Sequence, residues 1–428
     1  MVESLKNCHT AFPVGSRYKY TNIGPDVLGA VIEKLRGERF ARYMEENLLT
    51  PVGMENSAFM LDGIPVQKDV ALGYEYYKGK YYPLEQGDIT SLPSGNLYST
   101  IEDMSAFAKF VFRGGEANGK QIINSETLLW MFEDQFSSQR DPQPMGLGWK
   151  TARVFGSELL VWHDGGPGEG IGSLVALLPE RKLGVVLFAN EISFEGSISL
   201  SLANEILERM LETKYGVVPP ENKTSQPVDI DRSLLNDYEG KYIAFGQVMD
   251  VSLSGGGLEG VIQGMKFDLI PVGQNKFLVS HWLLNLGLGD LLQLPIDPRE
   301  LEIEFLVGDE TDEDMMIINM GDIFYEICPR YPEITAIAPF WEELTGEYTL
   351  VSRLPSGSVG SDVLGNTSIH VEHGVLQISG VVGPILPISE SEIIILSGPF
   401  AGETMVYEPD TGYIYHQFVV HKPIEPIQ

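Results

Sequence analysis

The 428-residue sequence is poor in cysteine, in positive charge and in long apolar runs. Two cysteines, Cys8 and Cys328, exclude a disulfide framework and any zinc site built on cysteine pairs. Only 29 Lys and Arg stand against 60 Asp and Glu, a formal net charge of −31. Nucleic acid and anionic membrane surfaces are therefore excluded as partners, because both demand clustered positive charge. No run of about 18 apolar residues occurs, so no transmembrane helix is expected. Met1–Lys6 has no basic region followed by an apolar core, and it does not read as a signal peptide. The seven histidines lack HExxH spacing. His370 and His373 fall in an alternating run that reads as a strand with surface histidines, so neither a metal nor an organic cofactor is expected. The acidic run Asp309–Asp314 lacks the glycine spacing of an EF-hand and reads as an exposed hairpin loop.

What is present is enough apolar material, 43% of residues, for a real core. Charge is uneven along the chain. Residues 1–220 hold 20 basic and 28 acidic side chains, a net of −8; residues 221–428 hold 9 and 32, a net of −23. The two parts read as different domains. In the first, Leu28, Ile32 and Leu35, then Phe40, Tyr43, Met44 and Leu48, fall at helical spacings interrupted by Gly37, which predicts two helices. Residues 57–93, rich in Tyr, Gly and Pro, read as loops and short strands. Thr100-Ile101-Glu102-Asp103 resembles a capping box that opens a third helix, stopped by Gly114-Gly115. Asn124 opens a fourth. Glu158–His163, Ser173–Leu178 and Leu183–Asn190 are three short apolar runs with turns between them, an antiparallel meander, and a helix over 197–213 follows.

A polar linker covers 216–232, and beyond it helical periodicity vanishes. Tyr238-Glu239-Gly240-Lys241-Tyr242 returns 106 residues later as Leu344-Thr345-Gly346-Glu347-Tyr348. Each copy opens a series of short strands with Gly and Asp turns. Closing such strands into barrels removes exposed edges, so two small antiparallel barrels are expected, over 233–334 and 338–428.

Two short stretches carry chemistry. In His163-Asp164-Gly165-Gly166, an ionisable ring stands at a strand end beside glycines. A substrate can approach open backbone N–H groups there, as an oxyanion site requires. In Tyr20-Thr21-Asn22, ahead of a helix, a phenol that can act as a base if cations lower its pKa lies two positions from an amide-binding Asn. Each stretch alone reads equally as structure, a Gly-rich hairpin in one case and a helix cap in the other.

Together they resemble the serine β-lactamase and penicillin-binding-protein family, closest to its class C-like esterases and D-amino-acid peptidases. The Tyr-x-Asn block lies at Tyr20–Asn22 and the His-x-Gly block at His163–Gly165. Leu48–Met54, Ser94–Asp103, Gly146–Trp149 and Val185–Asn190 match in order over residues 10–213. The resemblance implies an α+β fold: the C-terminal part of a β-lactamase/transpeptidase-like domain over 1–215, an antiparallel sheet flanked by helices, followed by lipocalin-like barrels. It implies Tyr20 as general base, or as part of a base pair with the family's Lys, Asn22, Asp164, Gly165 and Gly166 as substrate-binding, His163 as the group that orients and polarises the substrate, and Gly166 N–H as an oxyanion donor. Asp164 stands where the family usually has a small or hydroxyl residue. The substrate would be a small peptide, amide or ester, attacked through a serine acyl-enzyme. The family's Ser-x-x-Lys belongs many tens of residues before Tyr-x-Asn, whereas Ser16-Arg17-Tyr18-Lys19 abuts Tyr20. The expectation is a chain truncated at its N-terminus and inactive as it stands, with homo-oligomers a further possibility. The competing expectation is a non-catalytic binding or assembly protein on a degenerate hydrolase scaffold.

Overall fold

The computed structural model describes residues 18–59, 70–84, 92–136, 144–166, 170–191, 197–218, 225–281, 301–308, 314–320, 324–331, 341, 344–352, 363–372, 374–379, 383–396, 401–416 and 419–424. Ser16, Cys8, His373 and Asp309–Glu313 lie outside them. The chain forms two compact units, one over Arg17–Asn222 and one over Lys223–Gln428.

In the first unit α1 (Ile23–Arg36) ends where Gly37 turns left-handed at φ 69° and donates its N–H to the Glu33 carbonyl. The apolar stripe of α1 faces solvent: Leu28 is 64% and Leu35 77% exposed, while Asp26 and Gly29 are buried. Helical spacing fixed the helix, and it does not tell which face is covered. Next come α2 (Phe40–Met44), a π turn over Glu45–Leu49, and the single turn α3 (Thr50–Val52), closed by Gly53 at φ 89°. Strand β1 (Ala58–Phe59), the hairpin β2 (Tyr74–Tyr77) and β3 (Lys80–Pro83), the turn α4 (Leu92–Gly95) and β4 (Leu97–Tyr98), which pairs with β1, complete this part.

Helix α5 (Ile101–Phe112) is capped by Thr100, whose hydroxyl accepts from Asp103 N–H. Only half of the expected capping box forms. The Asp103 carboxylate turns away from Thr100 and accepts from Asn56 N–H and Ser57 Oγ, both at 2.7 Å, tying the chain after α3 to the helix start. A small hairpin, β5 (Glu116–Ala117) and β6 (Lys120–Gln121), leads to α6 (Ser125–Phe132), capped by Asn124.

The sheet has four strands where the apolar runs gave three: β7 (Lys150–Val154), β8 (Glu158–Gly165), β9 (Gly172–Leu178) and β10 (Leu183–Ala189), in the order β10-β9-β8-β7. Helices α5 and α7 (Ser197–Tyr215) contact β10. The core gathers Leu49, Phe110, Phe132, Trp149, Val161 and Leu177.

The second unit holds two closed barrels of eight antiparallel strands each. One runs from Gly240–Ala244 to Phe324–Tyr331, the other from Gly346–Ser352 to Val419–Pro423. Neighbours in sequence are neighbours in each barrel, and the first strand closes on the last. Alternation sends Tyr242, Phe277, Phe305 and Met316 into the first core, and Tyr348, Ile369, Ile393 and Ile414 into the second. Outward-facing Ile243, Tyr331 and Val375 are buried together with Val248 and Leu386, so the two barrels pack against each other.

Candidate active site

Strand β8 runs from the buried Leu160 and Val161 to a polar end at His163, Asp164 and Gly165. On one side it pairs with β9 as far as Gly165↔Ser173. On the other, the register with β7 stops at Lys150↔Trp162. His163–Gly165 therefore overhang β7. His163 stands near the end of an internal strand whose last three residues project past a shorter neighbour. β7 escapes a hydrophobicity reading because Lys150-Thr151-Ala152-Arg153-Val154 places two charges in five residues. A Cβ on Gly165 would stand 2.7 Å from Ser173 Oγ, so a larger residue there would have to turn the serine hydroxyl aside. Gly166 follows the last ladder pair and is exposed.

Tyr20 comes from the segment before α1, and its ring centroid lies 6.3 Å from that of His163. The fold thus brings together two groups from opposite ends of the domain's sequence. Asn22 occupies the N-cap position of α1, but its side chain makes no capping hydrogen bond; Thr21 Oγ1 instead accepts from Ile23 N–H at 3.1 Å. The exposed Asn22 amide is not consumed by the helix.

The electrostatics define what these groups can do. His163 Nδ1 lies 2.7 Å from the Asp164 carbonyl oxygen. A carbonyl only accepts, so Nδ1 carries the proton. Burial holds the imidazole pKa below its ordinary value, and the nearby Lys150 ammonium pushes the same way. A neutral His163 then has a bare, basic Nε2. The Tyr20 phenol moves the other way: burial, and next the Asp164 carboxylate, raise its pKa above 10. Both causes favour the protonated phenol over the phenolate. The residue that sequence reasoning missed is Lys150, whose Nζ lies 2.5 Å from Asp164 Oδ1. Its signal in the sequence is the adjacent Gly146–Trp149 block, which leads directly into β7. Among the described residues no cluster of His, Cys, Asp and Glu could hold a metal.

Comparison with known proteins follows the same outline. A family model described as Beta-lactamase matches residues 1–196. Beta-lactamase-like protein 2 of Dictyostelium discoideum is 26% identical over 222 residues, 48% of this chain and 37% of that protein. A putative D-alanyl-D-alanine carboxypeptidase of Escherichia coli (strain K12) is 22% identical over 223 residues, 44% of this chain and 49% of that one. The chain thus spans between 37% and 49% of the length of these two relatives. The octameric penicillin-binding protein homologue from Pyrococcus abyssi has 22% identity and a TM-score of 0.43, covering 73% of this chain and 65% of that chain.

Proposed function

We infer the function from the family: residues 1–196 belong to the serine β-lactamase and penicillin-binding-protein family, and we propose that they carry the Tyr-x-Asn and His-x-Gly part of a hydrolase site for a peptide, amide or ester. In this reading a serine oxygen attacks the substrate carbonyl, the leaving group departs with a proton, and water releases the acyl group. His163 Nε2 is the proton acceptor, and the protonated Tyr20 passes the nucleophile's proton toward it. Asn22 holds the substrate amide, and the backbone N–H of Gly166 receives the developing oxyanion. The observation that carries the reading is the approach of the Tyr20 and His163 rings, with a single imidazole tautomer held by the Asp164 carbonyl.

The nucleophile is the remaining question. Ser-x-x-Lys occurs once in the sequence, at Ser16–Lys19. Tyr18, Lys19 and Tyr20 lie outside any helix. Lys19 is thus not part of a helix, whereas the family's lysine lies on the helix that its serine opens. The exposed Leu28, Val31 and Leu35 stripe of α1 suits a further helix carrying the serine and lysine. Intact-mass measurement after incubation with a fluorophosphonate tests this. Residues 1–428 should remain unlabelled, and a longer chain that adds a Ser-x-x-Lys helix should label stoichiometrically. A stoichiometric adduct on Ser16 would reverse the assignment. Failure of the longer chain to label would favour a non-catalytic binding protein.

A further inference from the structure

The hairpin β2–β3 gathers tyrosines on one face. Lys78 and Gly79 both take positive φ, 48° and 80°, the turn that joins two tightly paired strands. The register Tyr74↔Pro83 and Tyr76↔Tyr81 sets Tyr74, Tyr76, Tyr81 and Pro83 on one face. Their rings form a cluster: Tyr76 and Tyr81 have centroids 5.0 Å apart, and Tyr74 meets Tyr81 edge-on at 6.5 Å. The cluster is nevertheless open, with Tyr76 55% and Tyr81 64% exposed. No charged residue shares that face; Glu75 and Lys80 fall on the opposite one.

An isolated two-stranded hairpin is marginal in water, and this one is anchored at its base. Tyr74 N–H donates to the Asn190 carbonyl at 3.1 Å, Leu84 N–H to Gly73 O at 2.9 Å, and Asn190 Nδ2 to Leu72 O at 3.0 Å. Gly170, at φ 70°, admits no side chain, because a Cβ would stand 2.8 Å from Tyr74 N. These anchors lie at one end of the sheet. Ala189↔Gly172 closes the ladder of β10 and β9 there, and Gly165↔Ser173 closes that of β8 and β9. At about 4.8 Å between strands, the base of the hairpin sits roughly 10–15 Å from the end of β8 that carries His163 and Gly166.

We propose that the Tyr74, Tyr76 and Tyr81 face is a substrate-binding arm that takes an aromatic ring of a peptide or amide bound at the β8 end. The inference rests on the hydrolase reading above. Continuity with that site names the occupant, since a substrate seated along the overhanging β8 edge extends toward the arm. The uncharged face selects a neutral ring over an acidic or basic group, and open tyrosine faces and edges match the offset and edge-on contacts that aromatic rings prefer.

Binding of N-acetylphenylalaninamide and N-acetylalaninamide to the 428-residue chain, followed by NMR titration, tests the arm. The phenylalanine probe should bind more tightly, and Tyr76→Ser or Tyr81→Ser should weaken it by about fivefold while leaving the alanine probe unchanged. Tyr76→Phe, which keeps the ring, should retain binding and so controls for misfolding. Equal affinity for the two probes overturns the proposal. So does a switch to tri-N-acetylglucosamine as the tyrosine-dependent ligand, or a change in sedimentation of the serine variants that marks the face as a contact between copies. Asn22→Ala and His163→Ala separate the two readings. If they weaken both probes and Tyr76→Ser weakens neither, the arm falls and the hydrolase site stands. If only the tyrosine variants matter, the hydrolase reading falls, and with it the arm's role as part of a substrate site.

Discussion

Lys150 and Asp164 form an ion pair, Nζ to Oδ1 at 2.5 Å, between the start of β7 and the overhanging end of β8. Lys150 pairs in register with Trp162, so Asp164 is its diagonal neighbour on the same face of the sheet. Both side chains are about three-quarters buried. The Asp164 carboxylate is therefore matched by a cation, and the charge beside His163 and Tyr20 is balanced within the sheet.

The pair should be readable in the titration of His163. Burial is the main reason its pKa is low, Lys150 lowers it further, and the Asp164 carboxylate opposes both. Lys150→Met removes a neighbouring cation and should raise the His163 pKa. Asp164→Asn removes the anion and should lower it, while the bond from Nδ1 to the backbone carbonyl persists. Long-range nitrogen–proton NMR spectra of the imidazole against pH give both values. Shifts of the opposite sign, or none, would mean that the pair does not act on the ring.

Glu158 anchors the other end of β8. Its carboxylate is almost wholly buried and receives Arg181 Nε and Nη2 at 2.6–3.0 Å. Those bonds hold its pKa below the ordinary value against the cost of burial. Arg181→Ala would leave the Glu158 carboxylate without its ion-pair partner and should destabilise the first unit. Arg181→Lys should recover only part, because lysine cannot make the forked contact. The depressed pKa stabilises the fold above the unfolded value near 4.5 and the benefit disappears as pH falls through the folded value. Urea unfolding at pH 7 and pH 3 should thus show the gap between wild type and Arg181→Ala shrinking in acid.

The internal repeat marks a shared device. Tyr242 Oη donates to the Tyr238 carbonyl at 3.0 Å, and Tyr348 Oη to the Leu344 carbonyl at 2.7 Å, each bracing the entry to its barrel. Tyr242→Phe and Tyr348→Phe should each cost about 1 kcal/mol in denaturant unfolding. The paired glycines should differ. Both have φ 157°, but a Cβ on Gly240 would lie 2.4 Å from Arg330 Nε, whereas one on Gly346 meets nothing within 4 Å. Gly240→Ala should be the more damaging of the two, since it displaces the Arg330 guanidinium from Asp314 and the Glu239 carbonyl. Equal losses would mean that backbone strain alone decides.

These residues also show what the sequence could disclose. The barrels were legible because strand alternation and turn residues are local, and because Tyr242 and Tyr348 bond only four residues back. Tyr20 and His163 were legible as a pair through the spacing of several blocks, while neither stretch was distinctive alone. What stayed hidden depends on partners distant in sequence. The Asp103 carboxylate has a local use in the capping box, and only the folded chain brings Asn56 and Ser57 to compete for it. The phenol of Tyr20 could have been shifted either way until burial and Asp164 were seen beside it. Outward apolar residues such as Ile243 and Val375 look like scattered surface positions until the two barrels meet over them.

The second barrel should carry an acid-sensitive residue. His421 is 2% exposed, and it faces inward from the closing strand, opposite Leu350 on one neighbour and Ile414 on the other. Among the described residues neither of its ring nitrogens has a hydrogen-bond partner. His416, bound to Glu403 at 2.9 Å, lies close enough to oppose a second cation. Burial first, and His416 second, bring the His421 pKa down to about 4. The unfolded chain titrates near 6.5, so between those values it binds a proton that the folded barrel refuses. Stability is therefore intact above about pH 6.5 and declines as pH falls toward 4, with a loss of about 3 kcal/mol at 1.36 kcal/mol per pH unit. His421→Leu keeps an apolar side chain of similar reach inside the barrel and removes the proton site, so its stability should be flatter across that range. Urea unfolding monitored by tyrosine fluorescence at pH 7, 5.5 and 4.5 would measure both slopes. Parallel curves for wild type and His421→Leu would show that the acid response arises elsewhere.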